Sequence, residues 1–451
     1  MEGQRESLPS VGNMNLGTAT IAFVLAVVFV LAVFAVPGLH GQTLSPLHEF
    51  KGGRNDGGTD GAYPHAGLTM DQAGNLYGTT SAGGLVTNDC TGLGCGTVYK
   101  LLRKNSGWLL YPLYNFQGGT DGQVPEGRLT IGPDGSLYGT AEGGLATCYG
   151  SSSCGVVFNL RPPPGICRSF SCPWTETILY RFTGGVDGWN PGADLTFDRA
   201  GNLYGIATDG GYTGSGNCVD FGCGVVYKLT PSNGSWTESV IYQFLGGADG
   251  ENPWGGVIFD TVGNLYGITA AGGVMSCEFG CGTVFQLSPT QSGWVKNTLH
   301  PFQGGNDGYF PETGLTSDRA GNLYGSTASG GPGNGGTIFQ LTSVSGSWVY
   351  SVIYGLSGQL NSQGGPAGPL TIDQAANLYG AATGDGAHGV GSIFKLTPSN
   401  GSWLFTDVHD FGGEDGAYPY DGLVVDSGGN VYGTALQGGQ FSRGLVFVIT
   451  P

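Results

Sequence analysis

The tetrapeptide Asn-Leu-Tyr-Gly, or a close variant, begins at Asn75, Ser136, Asn202, Asn264, Asn322, Asn377 and Asn430. Each copy lies in a longer frame: G-L-T-x-D-x-x-G-N-L-Y-G-T, then G-T-V-F-x-L, then W-x5-L-Y-x-F-x-G-G-x-D-G-x-x-P. A supersecondary unit of this size cannot bury its apolar face alone, so units of this kind must stack or close on one another. Repetition also separates scaffold from site. Residues common to all units build the unit, and residues peculiar to one or two units are the candidates for function.

Each unit of roughly 53 to 66 residues contains four strand-like pieces. In the third unit they are Asp194–Asp198, Asn202–Thr208, Gly224–Thr230 and Trp236–Phe244. Between the first two, D-x-x-G-N is a hairpin turn, in which Asp bonds the following backbone and Gly takes positive φ. Asp71, Asp134, Asp198, Asp260, Asp318, Asp373 and Asp426 hold that place. The fourth piece is phased by Trp108, Trp174, Trp236, Trp294, Trp348 and Trp403, each eight residues before a Phe or Leu. An even separation predicts that both ends share one strand face. His300 and His409 take the place of a Tyr in this frame, as packed rings.

Four antiparallel strands repeated seven times predict an all-β, seven-bladed β-propeller. The ends agree. Thr43–Phe50 reads as a lone fourth strand, and the chain closes on a third-strand piece, Leu445–Pro451. The N-terminal strand is therefore expected to complete the last blade and close the ring, hiding both edges. Residues 43–451 form the repeat domain, preceded by residues 1–42. There, Arg5 and the apolar run Ile21–Pro37 read as a secretory signal peptide cut near Gly41, with a retained membrane anchor as the alternative. Both place the repeats outside the cytoplasm, secreted or at the cell surface.

The ten Cys fall into close pairs: Cys90 with Cys95, Cys148 with Cys154, Cys167 with Cys172, Cys218 with Cys223, and Cys277 with Cys281. Even local pairs on an exported chain read as disulfides, each mainly stiffening its own short loop. Zinc would need two such pairs brought together. The charge balance, 16 Lys+Arg against 33 Asp+Glu, gives a net −17 with no basic stripe, which excludes nucleic acid as a partner.

In a four-stranded meander the second-to-third loop and the connector to the next blade emerge on one side. The first carries four of the five Cys pairs and the second carries G-G-x-D-G-x-x-P, so this face is the expected binding surface. The remaining pair, Cys167 with Cys172, belongs to the opposite face. Asp60, Asp121, Asp187, Asp249, Asp307 and Asp415 recur in the connector. They read as Asp-Gly turn residues, with a Ca²⁺-collecting carboxylate ring as the alternative and no other cofactor implied. The departures from the frame are more specific. After the shared Pro stand His65, Glu126, Gly192, Trp254, Glu312, Ala367 and Tyr420; two positions further on are Arg128 and Asp194, with Asp421 one place earlier. If the first strand is innermost, these residues ring a channel mouth. Acids, one Arg and aromatics around a concavity suit a sugar, whose faces stack on rings and whose hydroxyls bond the charges. Glu126 and Glu312 supply an acid/base pair for an alternative glycan hydrolase or lyase. No G-x-S-x-G, H-E-x-x-H or P-loop is present.

The full frame resembles the GloVer (Gloeo/Verruco) tandem-repeat family of exported bacterial proteins, over about residues 44–451. The resemblance implies a surface or secreted propeller-like protein and no particular biochemical activity. The family's variable anchoring signals have no C-terminal counterpart after Pro451, which leaves the N-terminal segment to direct export. The expected function is non-catalytic binding of a glycan or a surface protein; a purely structural envelope role is the third reading.

Overall fold

The computed structural model describes residues 42–52, 60–87, 90, 92–105, 107–144, 148, 153–163, 174–214, 218–358 and 365–451. Residues 1–41 of the expected signal segment, 1–42, lie outside the described residues, and so do Cys167 and Cys172, whose expected pairing is therefore left untested. The described strands form seven four-stranded antiparallel sheets. Six are consecutive meanders: blade 1 (69–115), blade 2 (130–181), blade 3 (196–243), blade 4 (251–301), blade 5 (316–355) and blade 6 (366–410). Blade 7 takes its first three strands from 424–450 and its fourth from Thr43–Glu49, which lies beside Leu445–Thr450. The protein is a seven-bladed β-propeller closed by its N-terminal strand. The Phe50 amide bonds the Gly444 carbonyl at 3.0 Å, just as Phe116 bonds Gly96 in blade 1.

Third strands are buried on both faces, which explains their continuous T-V-F-x-L pattern. First strands are shorter than expected, often two residues, as at Thr196–Phe197. The fourth strand departs from the predicted phase. In blade 3 Tyr227 pairs with Val240 and Val226 with Tyr242, so Ile241 is an extra residue; the same bulge recurs in blades 1, 2, 4, 5 and 6. One inserted residue reverses the side-chain alternation. Trp and Phe therefore face opposite neighbours. Trp236 packs on Tyr138 of the preceding blade (6.2 Å), while Phe244 packs on Phe285 of the following one (5.2 Å).

Both contacts run around the ring. Trp108, Trp174, Trp236, Trp294, Trp348 and Trp403 each meet the Leu-Tyr-Gly tyrosine of the blade before. Blade 7 has no such Trp, and Leu44 packs at its interface instead. The Gly of Leu-Tyr-Gly exists because a third-strand ring lies over it: a Cβ on Gly139 would stand 2.6 Å from Phe158, and one on Gly78 would stand 2.4 Å from the Tyr99 hydroxyl.

The turn acids play their predicted part. Asp71 Oδ1 accepts from the Ala73 and Asn75 amides, and Oδ2 accepts from the Asn75 side chain and the Tyr77 hydroxyl. Burial alone would raise its pKa, but these bonds and nearby Lys100 outweigh burial and hold it below the usual range. Asp198, Asp260 and Asp426 behave alike. Among the described residues no helix is long and apolar enough to cross a membrane.

Candidate functional site: the axial cavity

The site is built where one blade hands over to the next. In six connectors the residue before the shared Pro has positive φ although it is not Gly: Tyr63, Val124, Asn190, Asn252, Phe310 and Tyr418, at 48° to 61°. Such a conformation is costly for bulky residues and needs enforcement. Each of these amides donates to a carbonyl of the preceding blade. Val124 bonds Cys95, Asn190 bonds Cys154, Asn252 bonds Cys223 and Phe310 bonds Cys281, at 2.8–3.2 Å. The Pro then seats on a Gly at the head of that blade's third strand; a Cβ on Gly155 would lie 2.2 Å from Pro191.

The disulfides belong to the same device. Cys90–Cys95, Cys148–Cys154, Cys218–Cys223 and Cys277–Cys281 are formed, with Cα separations of 4.9–5.2 Å, and fit an extracytoplasmic protein. The fifth expected bridge, between Cys167 and Cys172, falls outside the described residues. The four formed bridges reach beyond their own loops. Cys148 Sγ lies where a Cβ on Gly184 would stand (2.1 Å), and Cys218 packs likewise on Gly246. Each of these two bridges thus packs against the connector leaving its blade.

Strained residue and Pro together aim the next side chain at the ring axis. His65, Glu126, Gly192, Trp254, Glu312, Ala367 and Tyr420, one from each blade, line a single cavity of about 270 Å³, joined by Asp194 and Asp421. Arg128 is not on this wall. Its guanidinium lies against Gly67 and Gly422, 3.9 Å from both Asp194 and Asp421, while its amide bonds Asp194 Oδ1 at 2.9 Å. Its Nε and Nη2 are buried without a hydrogen-bond partner among the described residues. Arg128 thus ties blade 2 to blades 3 and 7 beside the cavity.

With seven blades in chain order, blade n stands across the ring from blades n+3 and n+4. Trp254 of blade 4 therefore faces His65 of blade 1 and Tyr420 of blade 7, whose rings lie 4.0 Å apart at 38°. Trp254 is 41% exposed. Glu126 of blade 2 stands across from Glu312 of blade 5, and the small Gly192 and Ala367 stand across from each other. The cavity has aromatic walls on one axis, acids on the second and open space on the third.

Burial dominates its electrostatics. It pushes Glu126 up to about 7, helped by Glu142, and raises Glu142 and Glu312. Asp194 is likewise pushed up by burial, opposed by Arg128 and reinforced by Asp421. Burial lowers His65 against the pull of Asp421, keeping the imidazole neutral. The Tyr420 hydroxyl is raised by burial and then by Glu312, Glu126 and Asp421, so it sits in the field of both acid walls.

Sequence reasoning missed Glu142, which joins the wall from the second-to-third loop of blade 2. A signal existed: that unit reads L-Y-G-T-A-E-G-G against L-Y-G-T-T-S-A-G-G in the first, one residue shorter. The connector acids Asp60, Asp121, Asp187, Asp249, Asp307 and Asp415 do not form a shared ring. Each accepts within its own connector: Asp249 from the Tyr242 hydroxyl (2.7 Å) and the Leu245 amide (2.9 Å), Asp60, Asp307 and Asp415 from His48, His300 and His409. Asp121 and Asp187 take the hydroxyls of Tyr114 and Tyr180. Among the described residues the one cluster with metal-ligand spacing is Cys218, Cys223 and Glu251, and its two sulfurs are already bonded to each other.

Comparison with known proteins places these observations. The Gloeobacter/Verrucomicrobia repeat model matches residues 32–219 and 217–447. None of the curated proteins matches the chain. Among solved structures, a polysaccharide lyase described as an ulvan lyase bound to -[GlcA(1-4)Rha3S]- is similar at TM-score 0.51 and 10% identity, covering 90% of this chain and 95% of that one. A protein from Lactobacillus plantarum is similar at TM-score 0.48 and 13% identity, covering 75% and 84%. At these identities the likeness is one of fold.

Proposed function

This chain belongs to the Gloeobacter/Verrucomicrobia repeat family, and on that scaffold we propose that the axial cavity binds a saccharide unit of an extracellular glycan without altering it chemically. One observation carries the reading: the residue after the shared Pro of every connector converges on one cavity of about 270 Å³, with aromatic walls across from each other and acids between them. Aromatic rings take the apolar faces of a pyranose, and carboxylates accept from its equatorial hydroxyls. The volume suits one small unit, such as a glycan end, better than a protein surface. The ulvan lyase that shares the fold was solved with an acidic glycan. The acid-lined wall here disfavours such a ligand.

The test is a glycan array followed by titration of the tryptophan signal. A saturable ligand is expected, with affinity reduced about tenfold or more by Trp254→Ala and little change in melting temperature. A wild type inert on a broad panel contradicts the reading.

One observation supports the catalytic alternative. Glu126, pushed up to about 7, stands across from Glu312, two carboxyls on opposite sides of one cavity as a glycosidase needs. Turnover abolished by Glu126→Gln or Glu312→Gln, with binding retained, would move the protein to that class.

A further inference from the structure

The cavity acids differ from the turn and connector acids. Turn acids such as Asp71 and connector acids such as Asp249 are consumed by amides, hydroxyls and imidazoles of their own blade. Asp194 and Asp421 share the Arg128 guanidinium. Glu126, Glu142 and Glu312 line the cavity with no side-chain hydrogen bond or ion pair to any described residue. No Lys or Arg lines the wall beside them.

Resting on the glycan reading above, we propose that the ligand carries a free amine: the cavity selects an unsubstituted amino sugar, whose ammonium sits against Glu126, Glu142 or Glu312 while its ring lies between Trp254 and the His65–Tyr420 pair. Glu126 and Glu142 are like charges beside one another without a partner, and a cation relieves that repulsion where a hydroxyl or acetamide does not. Aromatic faces in the same cavity add cation–π attraction. A single metal ion is a poorer occupant. No three acids of the cavity bring ligand oxygens within 4.8 Å of one another among the described residues, whereas an amino sugar spans a wider gap. Uronates and sulfated sugars are repelled.

The experiment is calorimetric titration of the full chain with glucosamine oligomers, with N-acetylated oligomers of the same length, and with calcium alone. The free-amine oligomer is expected to bind about tenfold or more tighter than the acetylated one. That preference should weaken with added salt. Glu126→Gln should remove most of the preference and leave binding of the acetylated oligomer intact. Glu414→Gln, an exposed connector acid, changes net charge equally and should leave the preference unchanged. Equal affinity for both oligomers, or a preference that survives Glu126→Gln, Glu142→Gln and Glu312→Gln combined, overturns the amine assignment while the glycan reading stands. Calcium alone saturating the cavity also overturns it. Binding of neither oligomer nor any neutral sugar brings down both.

Discussion

Two sets of carboxylates respond to pH with opposite signs. Asp71, Asp198, Asp260 and Asp426 have folded pKa values below the unfolded ones, so the stability they contribute is present above about pH 4 and is lost as pH falls through the folded values. Glu126, Glu176 and Glu238 are pushed up to about 7, and their contribution is present below the unfolded pKa and is lost as pH rises through 7. These carboxylates together are therefore expected to favour the fold most between about pH 4 and 5. Melting temperatures across the range check this, and Glu126→Gln should flatten part of the decline on the alkaline side; a steady rise to about pH 8 contradicts it. The turn role of the seven acids was legible because each closes its bonds within six residues of chain. The environment of Glu126 was not, because it depends on blades far apart in sequence. Arg128 shows the same limit: its spacing locates its backbone near the axis, but only the ring reveals that Asp194 and Asp421 draw its side chain off the wall.

At the scale of the element, blade interfaces are set by what lies over the Leu-Tyr-Gly glycine. Five blades place Phe there, at Phe158, Phe285, Phe339, Phe394 and Phe447, and two place Tyr99 and Tyr227. Both hydroxyls are buried without a partner among the described residues. Removing an unsatisfied buried donor is favourable, so Tyr99→Phe and Tyr227→Phe should each stabilise by about 1 kcal/mol. The reverse change, Phe285→Tyr, should cost ~1–3 kcal/mol. Urea denaturation reads both, and a loss of stability in Tyr99→Phe would mean that the hydroxyl is bound after all. The strand count and order were legible from the repeat. The bulge was not, because an inserted residue leaves the Trp-to-Phe spacing at an innocent eight. A purely periodic reading puts Trp and Phe on one face; the structure gives one to each neighbouring blade, which is how a single strand grips both.

For the whole molecule, closure and site come from the same repetition. The N-terminal strand completes blade 7, and the connector entering each blade delivers one variable residue to the axis. Strain before the Pro and the Gly seat beneath it hold six of these deliveries, four of them beside a disulfide of the preceding blade, and a rigid frame with variable contributors is what a binding site requires. Which residues vary was legible by comparing units; that they share one cavity with aromatic and acid axes followed only from sevenfold closure. The most direct test is a crystal structure of the protein soaked with a glucosamine oligomer. The account predicts a sugar ring between Trp254 and the His65–Tyr420 pair, with its amine against Glu126, Glu142 or Glu312. A ligand seated on the outer edge of the blades, with the axial cavity empty, would contradict it.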